Sequence, residues 1–99
     1  MVTLLMKNEI IKKIKKFNKD REWDQFHSGS NIAKSIVIEA GELLEFFQWE
    51  NETNKRDELK DELADVLIYC IQLADKYELD IKEIINEKIS KNEKKYNEF

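Results

Sequence analysis

The chain has 99 residues, of which 41% are hydrophobic and 38% charged, and 17 basic against 21 acidic residues give a net charge of −4. This length fits a single domain, and the apolar share excludes a disordered chain. A net acidic chain is not a general binder of nucleic acid, which requires a basic surface for phosphates. The sequence also lacks an apolar run long enough to span a membrane, so we predict neither nucleic acid nor a membrane as a partner.

Turn-forming residues are scarce, because the chain holds two glycines and no proline. A sheet with tight hairpins needs such residues at each reversal, so the composition predicts an all-α fold, a single domain resembling a four-helix bundle. The one cysteine, Cys70, excludes an intrachain disulfide and lies in an apolar run that predicts a buried side chain. A lone reduced cysteine fits a cytoplasmic protein.

The first two predicted helices are separated by an aromatic connection. Residues 4–20 repeat apolar side chains at helical spacing, and lysines fill the opposite face. Residues 21–30 break this pattern, which predicts an irregular connection. Asn31 is the predicted N-cap of the second helix. The apolar stripe of that helix runs toward Trp49 and consists of Ile32, Ile36, Val37, Leu43, Leu44 and Phe47.

The third and fourth predicted helices follow a polar break at residues 50–55. Thr53 or Asn54 is the predicted N-cap of the third helix, whose apolar face is the broadest in the chain and predicts a central position. Asp80 and Glu83 have the spacing of a capping box at the start of the fourth helix. A chain of this size buries only about 60–65% of its unfolded surface, which leaves apolar faces for another copy to cover. We therefore predict a homodimer or homotetramer that assembles through helix–helix interfaces.

Two acidic pairs interrupt the apolar stripes of the second and third helices. Glu39 and Glu42 form the first pair. Glu62 and Asp65 form the second, and the i, i+3 spacing puts both carboxylates of a pair on one helix face. Either pair alone is most often a solvated face, but here apolar residues surround both. If the two helices pack antiparallel, four carboxylates converge and raise one another's pKa unless a cation is present.

A divalent cation resolves this electrostatic conflict. Oxygen ligands, with a single cysteine and a single histidine in the chain, favour Mg²⁺, with Mn²⁺ as the alternative, over zinc or copper. Di-iron bundles use Glu-x-x-His motifs, and neither acidic pair ends in histidine. Mg²⁺ held by carboxylates keeps waters and binds phosphates, so the pairs predict phosphoryl or nucleotidyl hydrolysis.

Further motifs surround the acidic pairs. Near the end of the chain, Lys88, Asn92 and Tyr96 form a Lys-x-x-x-Asn-x-x-x-Tyr series. The earlier motifs, in chain order, are Arg21-Glu22-Trp23-Asp24-Gln25-Phe26-His27, Asn31, Glu39-Ala40-Gly41-Glu42-Leu43, Phe47-Gln48-Trp49 and Asp61-Glu62-Leu63-Ala64-Asp65-Val66-Leu67-Ile68-Tyr69. Together they cover about three quarters of the chain. The sequence resembles the all-α nucleoside triphosphate pyrophosphohydrolases of the MazG-like superfamily, and within it the dCTP pyrophosphatase branch.

The resemblance implies one MazG-like domain over residues 1–99 that cleaves a nucleotide between its α and β phosphates, giving a monophosphate and pyrophosphate. A dCTP-like or modified nucleoside triphosphate is the implied substrate, in nucleotide pool house-cleaning. The implied assembly is dimeric or tetrameric, with sites near subunit interfaces. The implied metal ligands and catalytic residues are Glu39, Glu42, Glu62 and Asp65. The implied substrate contacts are Trp23, His27, Trp49, Tyr69, Lys88 and Asn92.

Structural alternatives to these substrate contacts stay open. The aromatic residues stack on a base in one interpretation and pack in an ordinary core in the other. Tyr69 either reaches the sugar or phosphate beside the metal or is a buried tyrosine of the bundle. Lys88 and Asn92 lie on one face of the fourth helix, where they either contact a triphosphate or form a solvated surface.

The predicted reaction is metal-assisted hydrolysis. A carboxylate such as Glu39 or Glu42 orients or deprotonates a water, which attacks the α phosphorus in line. The rival hypothesis is a non-catalytic oligomerisation or regulatory module that binds nucleotide without turnover. Acidic motifs embedded in apolar stripes argue against it, because a scaffold gains no stability from carboxylates clustered against its core.

Overall fold

The structure, a computed structural model, describes the backbone of residues 4–96 and the side chains of residues 9–96. Within this part the chain forms helices and no strand, which confirms the all-α prediction. The four α-helices are α1 (Leu4–Asp20), α2 (Gly29–Leu44), α3 (Arg56–Lys76) and α4 (Ile81–Lys95), and short 3-10 helices occupy Asp24–Phe26 and Glu45–Phe47. The predicted domain also includes residues 1–3 and 97–99, which lie outside the described residues. No helix of the described part is long and apolar enough to cross a membrane.

The helix α2 begins earlier than the sequence pattern predicts. Ser28 is its N-cap, and the Ser28 hydroxyl accepts a hydrogen bond from the Asn31 backbone N–H at 3.1 Å. The predicted cap Asn31 is therefore wrong, and this residue lies in the first turn. Its side-chain amide donates to the carbonyl of Phe26 at 2.7 Å, which joins the aromatic connection to the start of α2.

The predicted N-cap of α3 is wrong, whereas the predicted start of α4 is correct. The N-cap position of α3 is Lys55, which supplies no side-chain cap. Thr53 instead accepts from the Lys55 backbone N–H at 3.1 Å, a turn that precedes the helix. The α4 prediction is confirmed, because the Asp80 carboxylate accepts from the Glu83 backbone N–H at 3.0 Å.

The helices α2 and α3 pack against each other and form the centre of the fold, and α1 packs against α3. The central position predicted for α3 is thus confirmed. The α1 contact includes an ion pair between Lys15 and Asp75 at 3.1 Å. Few side chains are fully enclosed by this arrangement, and Ile32 on α2 and Ala74 on α3 are the buried hydrophobic residues of the described part.

The end of α3 is fitted closely to the start of α2. Tyr77 follows α3, and its hydroxyl lies where a side chain at Gly29 would collide with it. Glycine at position 29 therefore permits this contact. The following helix, α4, packs only sparsely on the rest of the described chain.

The single chain leaves much apolar surface open. Leu67 on α3 and Ile89 on α4 are about half exposed, at 51% and 49%. Cys70 is only half-buried, so the prediction of a buried cysteine is wrong for one copy of the chain. The physical reason is that the outer sides of the helices have no partner within the chain.

Candidate metal and active site

The packing of α2 on α3 brings three carboxylates together. One carboxylate oxygen each from Glu39, Glu42 and Glu62 lies within 4.8 Å of the other two. Glu39 and Glu62 are half-buried, whereas Glu42 is exposed. We call these three residues the carboxylate cluster.

Two oxygens of the carboxylate cluster are cut off from water. Oε2 of Glu39 and Oε2 of Glu62 are buried and have no hydrogen-bond partner. A buried polar atom without a partner destabilises a fold, and for a charged group the cost is larger. A divalent cation would satisfy both oxygens at once, and an all-oxygen donor set suits Mg²⁺ or Mn²⁺. The residues present therefore fit a metal ion of this class.

Mutual repulsion shifts the ionisation of the carboxylate cluster. The adjacent carboxyl group of Glu39, then that of Glu42, and burial raise the pKa of Glu62 to about 8. For Glu39 the adjacent carboxyl group of Glu62 lowers the pKa, but burial and the carboxylates of Glu42 and Asp65 outweigh it and raise the pKa overall. In the absence of a cation, the cluster thus retains a proton that isolated carboxyl groups would lose.

The fourth predicted ligand, Asp65, lies outside the carboxylate cluster. It is exposed on α3, although its charge still acts on Glu39. Residues three positions apart differ by about 60° around a helix. Glu39 and Glu42 have the same spacing and both belong to the carboxylate cluster, so spacing alone does not explain why one chain brings three of the four predicted carboxylates together.

A cavity of ≈ 950 Å³ opens beside the carboxylate cluster. Glu42, Glu62 and Trp49 line it, so the structure joins two of the acidic residues to one of the predicted base contacts. Trp49 is 87% exposed, which leaves its ring face available to a ligand. The other lining residues are Glu45, Phe46, Glu50, Glu52, Thr53, Asn54 and Lys55.

Sequence reasoning missed most of these lining residues. Glu45 and Phe46 stand three and four positions after Glu42, a spacing that could have placed them beside it. The residues from Glu50 to Lys55 form a connection, where no periodicity indicates the direction of a side chain. Lys55 is the one basic residue among those that line this cavity.

The other two aromatic candidates lie elsewhere in the chain. Trp23 packs edge-on against Phe17, with ring centroids 5.6 Å apart, and the guanidinium of Arg21 lies 3.6 Å from the Phe17 ring centroid. His27 Nδ1 lies 2.6 Å from the side-chain nitrogen of Gln72. Neither Trp23 nor His27 lines the cavity beside the carboxylate cluster.

A polar network surrounds His27. Asn18, which is 8% exposed, donates to the side-chain oxygen of Gln72 at 3.2 Å, and all three residues line a second cavity of ≈ 390 Å³. Gln72 lies ten positions after Glu62 on α3, about 15 Å along the helix axis. Within one chain, His27 and the carboxylate cluster are therefore separate.

The remaining substrate candidates are also outside the cavity. Tyr69 is half-buried on α3, about two turns after Glu62. Lys88 is exposed and Asn92 is half-buried on the sparsely packed α4. A role for these three residues stays a prediction.

Comparisons with known proteins agree with this architecture. Mouse (Mus musculus) dCTP pyrophosphatase 1 is 36% identical over 89 residues, which are 81% of this chain and 52% of that protein. The human (Homo sapiens) protein of the same name is 35% identical, with the same coverage of 81% and 52%. The chain spans about half the length of these curated relatives.

A solved structure is similar over nearly the whole fold. The crystal structure of a pyrophosphatase from Archaeoglobus fulgidus superposes with a TM-score of 0.86 at 36% identity, covering 97% of this chain and 95% of that one. The profile of the MazG-like family matches residues 34–98, which include both acidic pairs. With helices, acidic pairs and relatives in agreement, the chain belongs to the MazG-like family.

Proposed function

We propose that this chain hydrolyses a nucleoside triphosphate to the monophosphate and pyrophosphate, and that the carboxylate cluster holds Mg²⁺, with Asp65 beside it. One observation carries the proposal, namely the two buried carboxylate oxygens of Glu39 and Glu62 that have no hydrogen-bond partner. The names of the relatives, dCTP pyrophosphatase 1 and a pyrophosphatase, support the reaction class.

The residues around the cavity have different roles in the proposed hydrolysis. Bound Mg²⁺ supplies positive charge for the phosphate oxygens and lowers the pKa of a water. Glu42 is both a member of the cluster and a lining residue of the cavity, so it is placed to orient a water or accept its proton. Glu39 and Glu62 hold the buried side of the site.

The cavity also offers contacts for the two ends of a nucleotide. Trp49 presents an exposed aromatic face, and stacking on such a face contributes about 1–3 kcal/mol per base. Lys55 brings a positive charge into a cavity that is otherwise lined by several carboxylates. A triphosphate is strongly anionic, so we assign Lys55 to a phosphate contact.

The preferred substrate is a dCTP-like or modified nucleoside triphosphate, on the strength of the relatives' names. We also propose that the chain works as a homodimer or homotetramer. The large exposed apolar surface of the single chain supports this assembly. Neither nucleic acid nor a membrane is part of the proposal, and the cytoplasmic location stays a prediction.

Pyrophosphate release from a panel of canonical and modified nucleoside triphosphates tests the function. With Mg²⁺ present, we expect release with one or a few nucleotides, loss of release in Glu62→Gln, and retention in Asp61→Asn. Asp61 is an exposed carboxylate of the same helix, and it controls for a general change in charge. Nucleotide binding without any pyrophosphate release would favour the non-catalytic module and contradict the proposal.

A further inference from the structure

A short polar network joins α1, the aromatic connection and α3. Asn18 on α1 is 8% exposed, and its side-chain amide donates to Oε1 of Gln72 on α3 at 3.2 Å. The other polar atom of the Gln72 side chain, Nε2, lies 2.6 Å from Nδ1 of His27. His27 is the single histidine of the chain. None of the three residues belongs to the carboxylate cluster.

The direction of donation in this network determines where His27 holds its proton. Because Oε1 of Gln72 accepts from Asn18, Gln72 turns its amide nitrogen toward the imidazole, and this nitrogen only donates. Nδ1 of His27 therefore accepts, and in a neutral imidazole the accepting nitrogen carries no hydrogen. The proton is then on Nε2. The bond made by one imidazole nitrogen commonly sets the protonation of the other in this way.

Nε2 of His27 is available to a ligand. The His27 side chain is half-buried, and no group among the described residues pairs with Nε2. This atom is also absent from the buried side-chain atoms without a partner, so it is open to solvent. His27 lines the second cavity of ≈ 390 Å³. The imidazole thus brings a hydrogen-bond donor to a cavity with room for part of a ligand.

The packing of α1 on α3 does not require the network. Lys15 and Asp75 already connect these two helices by an ion pair at 3.1 Å. An enclosed amide such as that of Asn18 loses its contact with water, and a pair of apolar side chains of the same shape is often as stable as a hydrogen-bonded pair. A role in holding His27 accounts for the two amides where stability alone does not.

We infer that Gln72, held by Asn18, is a positioning residue that fixes His27 as the Nε2–H tautomer, and that this N–H donates to an acceptor on the base of the nucleotide. The inference rests on the proposed function for the class of ligand. Gln72 lies about 15 Å along the α3 axis from Glu62, so the imidazole is remote from the metal site of its own chain and suits the base rather than the phosphates.

The tautomer would contribute to the choice of base. An Nε2–H donor pairs with a carbonyl oxygen, such as that of a pyrimidine ring. An Nε2 without hydrogen would instead pair with an amino group. A site built to make one of these bonds rejects a base that offers the other, because polar groups would be left unpaired.

Nitrogen NMR of the full chain measures the tautomer, because a single histidine gives a single pair of imidazole signals. In mildly alkaline buffer, where an imidazole is neutral, we expect hydrogen on Nε2 and none on Nδ1. Asn18→Asp replaces a donor by an acceptor, so Gln72 should turn over and Nδ1 should become protonated. Asn86→Asp changes an exposed amide of α4 and should keep the native signals. A native protein with the proton on Nδ1, or an Asn18→Asp variant with native signals, would overturn the inference.

Binding of dCMP tests the base contact without turnover. We expect dCMP with Mg²⁺ to shift the Nε2 signal of His27. Gln72→Met, which has similar length and no amide, should give a mixture of tautomers and bind dCMP about 2- to 10-fold more weakly. In a His27→Ala background the same substitution should have no further effect on binding, because Gln72 acts through His27.

Two results of the dCMP experiment would overturn the inference. Equal weakening by Gln72→Met in both backgrounds would indicate a structural role, and an unshifted Nε2 signal would exclude the base contact. A shifted Nε2 signal in a chain that releases no pyrophosphate from any nucleoside triphosphate would contradict the proposed hydrolysis and support the positioning role. The two proposals therefore fail by different measurements.

Discussion

Glu39 and Glu62 each hold one carboxylate oxygen away from water without a hydrogen-bond partner. Such atoms destabilise the folded state, and a cluster of like charges destabilises it further. Functional sites commonly accept this kind of local penalty, because a bound ion recovers it. At the scale of single residues, the carboxylate cluster is a feature of the described residues that stability alone does not explain.

Metal binding should therefore stabilise the folded protein. A ligand that binds only the folded state raises the melting temperature, and we expect about 5 °C or more at saturating Mg²⁺. The Glu39→Gln, Glu62→Gln double variant should lose this response, whereas Asp61→Asn should keep it. Scanning fluorimetry with and without Mg²⁺ measures the shift. An equal shift in all three proteins would refute a shared cation site.

The same residues predict a pH dependence of the metal-free protein. The folded pKa of Glu62 is about 8, above its ordinary value of 4.5. Between these values the folded state binds more protons than the unfolded state, so the free energy of unfolding falls as pH rises from about 4.5 to about 8. Urea titrations in chelator at a series of pH values measure the slope. Glu62→Gln should flatten it, and a wild-type profile as flat as that variant's would contradict the assignment.

At the scale of elements, the site is built from two kinds of segment. The carboxylates lie on α2 and α3, whose mutual packing sets their distances. Trp49 and Lys55 lie in the connection between these helices, where the backbone follows no regular pattern. Rigid helices suit the chemistry of the metal, and a variable connection suits the choice of substrate.

This division predicts that base selection and chemistry separate kinetically. Trp49→Ala should raise KM by about 5- to 150-fold, the equivalent of about 1–3 kcal/mol of lost stacking. It should also flatten the preference among nucleotides. Glu42→Gln should mainly lower kcat. Steady-state kinetics over the nucleotide panel measures both effects.

Trp23 provides the control for the loss of a tryptophan. Its ring packs on Phe17, away from the cavity. Within a single chain, Trp23→Ala should thus affect stability more than the order of preference. If Trp49→Ala left that order unchanged, the base-binding role would have to be assigned to other residues.

The whole molecule has an open shape, with a large exposed surface for its length. Its axes measure 48 × 35 × 29 Å, and α4 has little contact with the rest of the described chain. The core within one chain is correspondingly small, with Ile32 and Ala74 as its buried hydrophobic residues. The carboxylate cluster and the His27 network lie apart within one chain. This separation is consistent with an active site to which residues of a second copy contribute.

Stability should therefore depend on protein concentration. Because unfolding of an oligomer is coupled to dissociation, the melting temperature should rise with chain concentration. Light scattering at micromolar concentration should give the mass of a dimer or tetramer. A monomer whose melting temperature is independent of concentration would contradict the assembly.

Local patterns were sufficient for the helices and for part of the site. Apolar spacing predicted α1, and the capping-box spacing of Asp80 and Glu83 predicted the start of α4. The two i, i+3 acidic pairs predicted four converging carboxylates, of which three lie together. The caps of α2 and α3 were wrong, because several polar residues compete there. Ser28 rather than Asn31 reaches the free backbone N–H groups, and α3 begins without a side-chain cap.

The sequence by itself determined the helical class, the family resemblance and the acidic motif, since each depends on residue types and spacings along the chain. Only the tertiary structure decided that Asp65 lies outside the cluster of Glu39, Glu42 and Glu62, that Trp49 rather than Trp23 borders the cavity, and that Lys55 joins it. These outcomes depend on the rotation of α3 against α2 and on the path of an irregular connection. Neither has a periodic signature, because both are set by contacts between residues far apart in the chain.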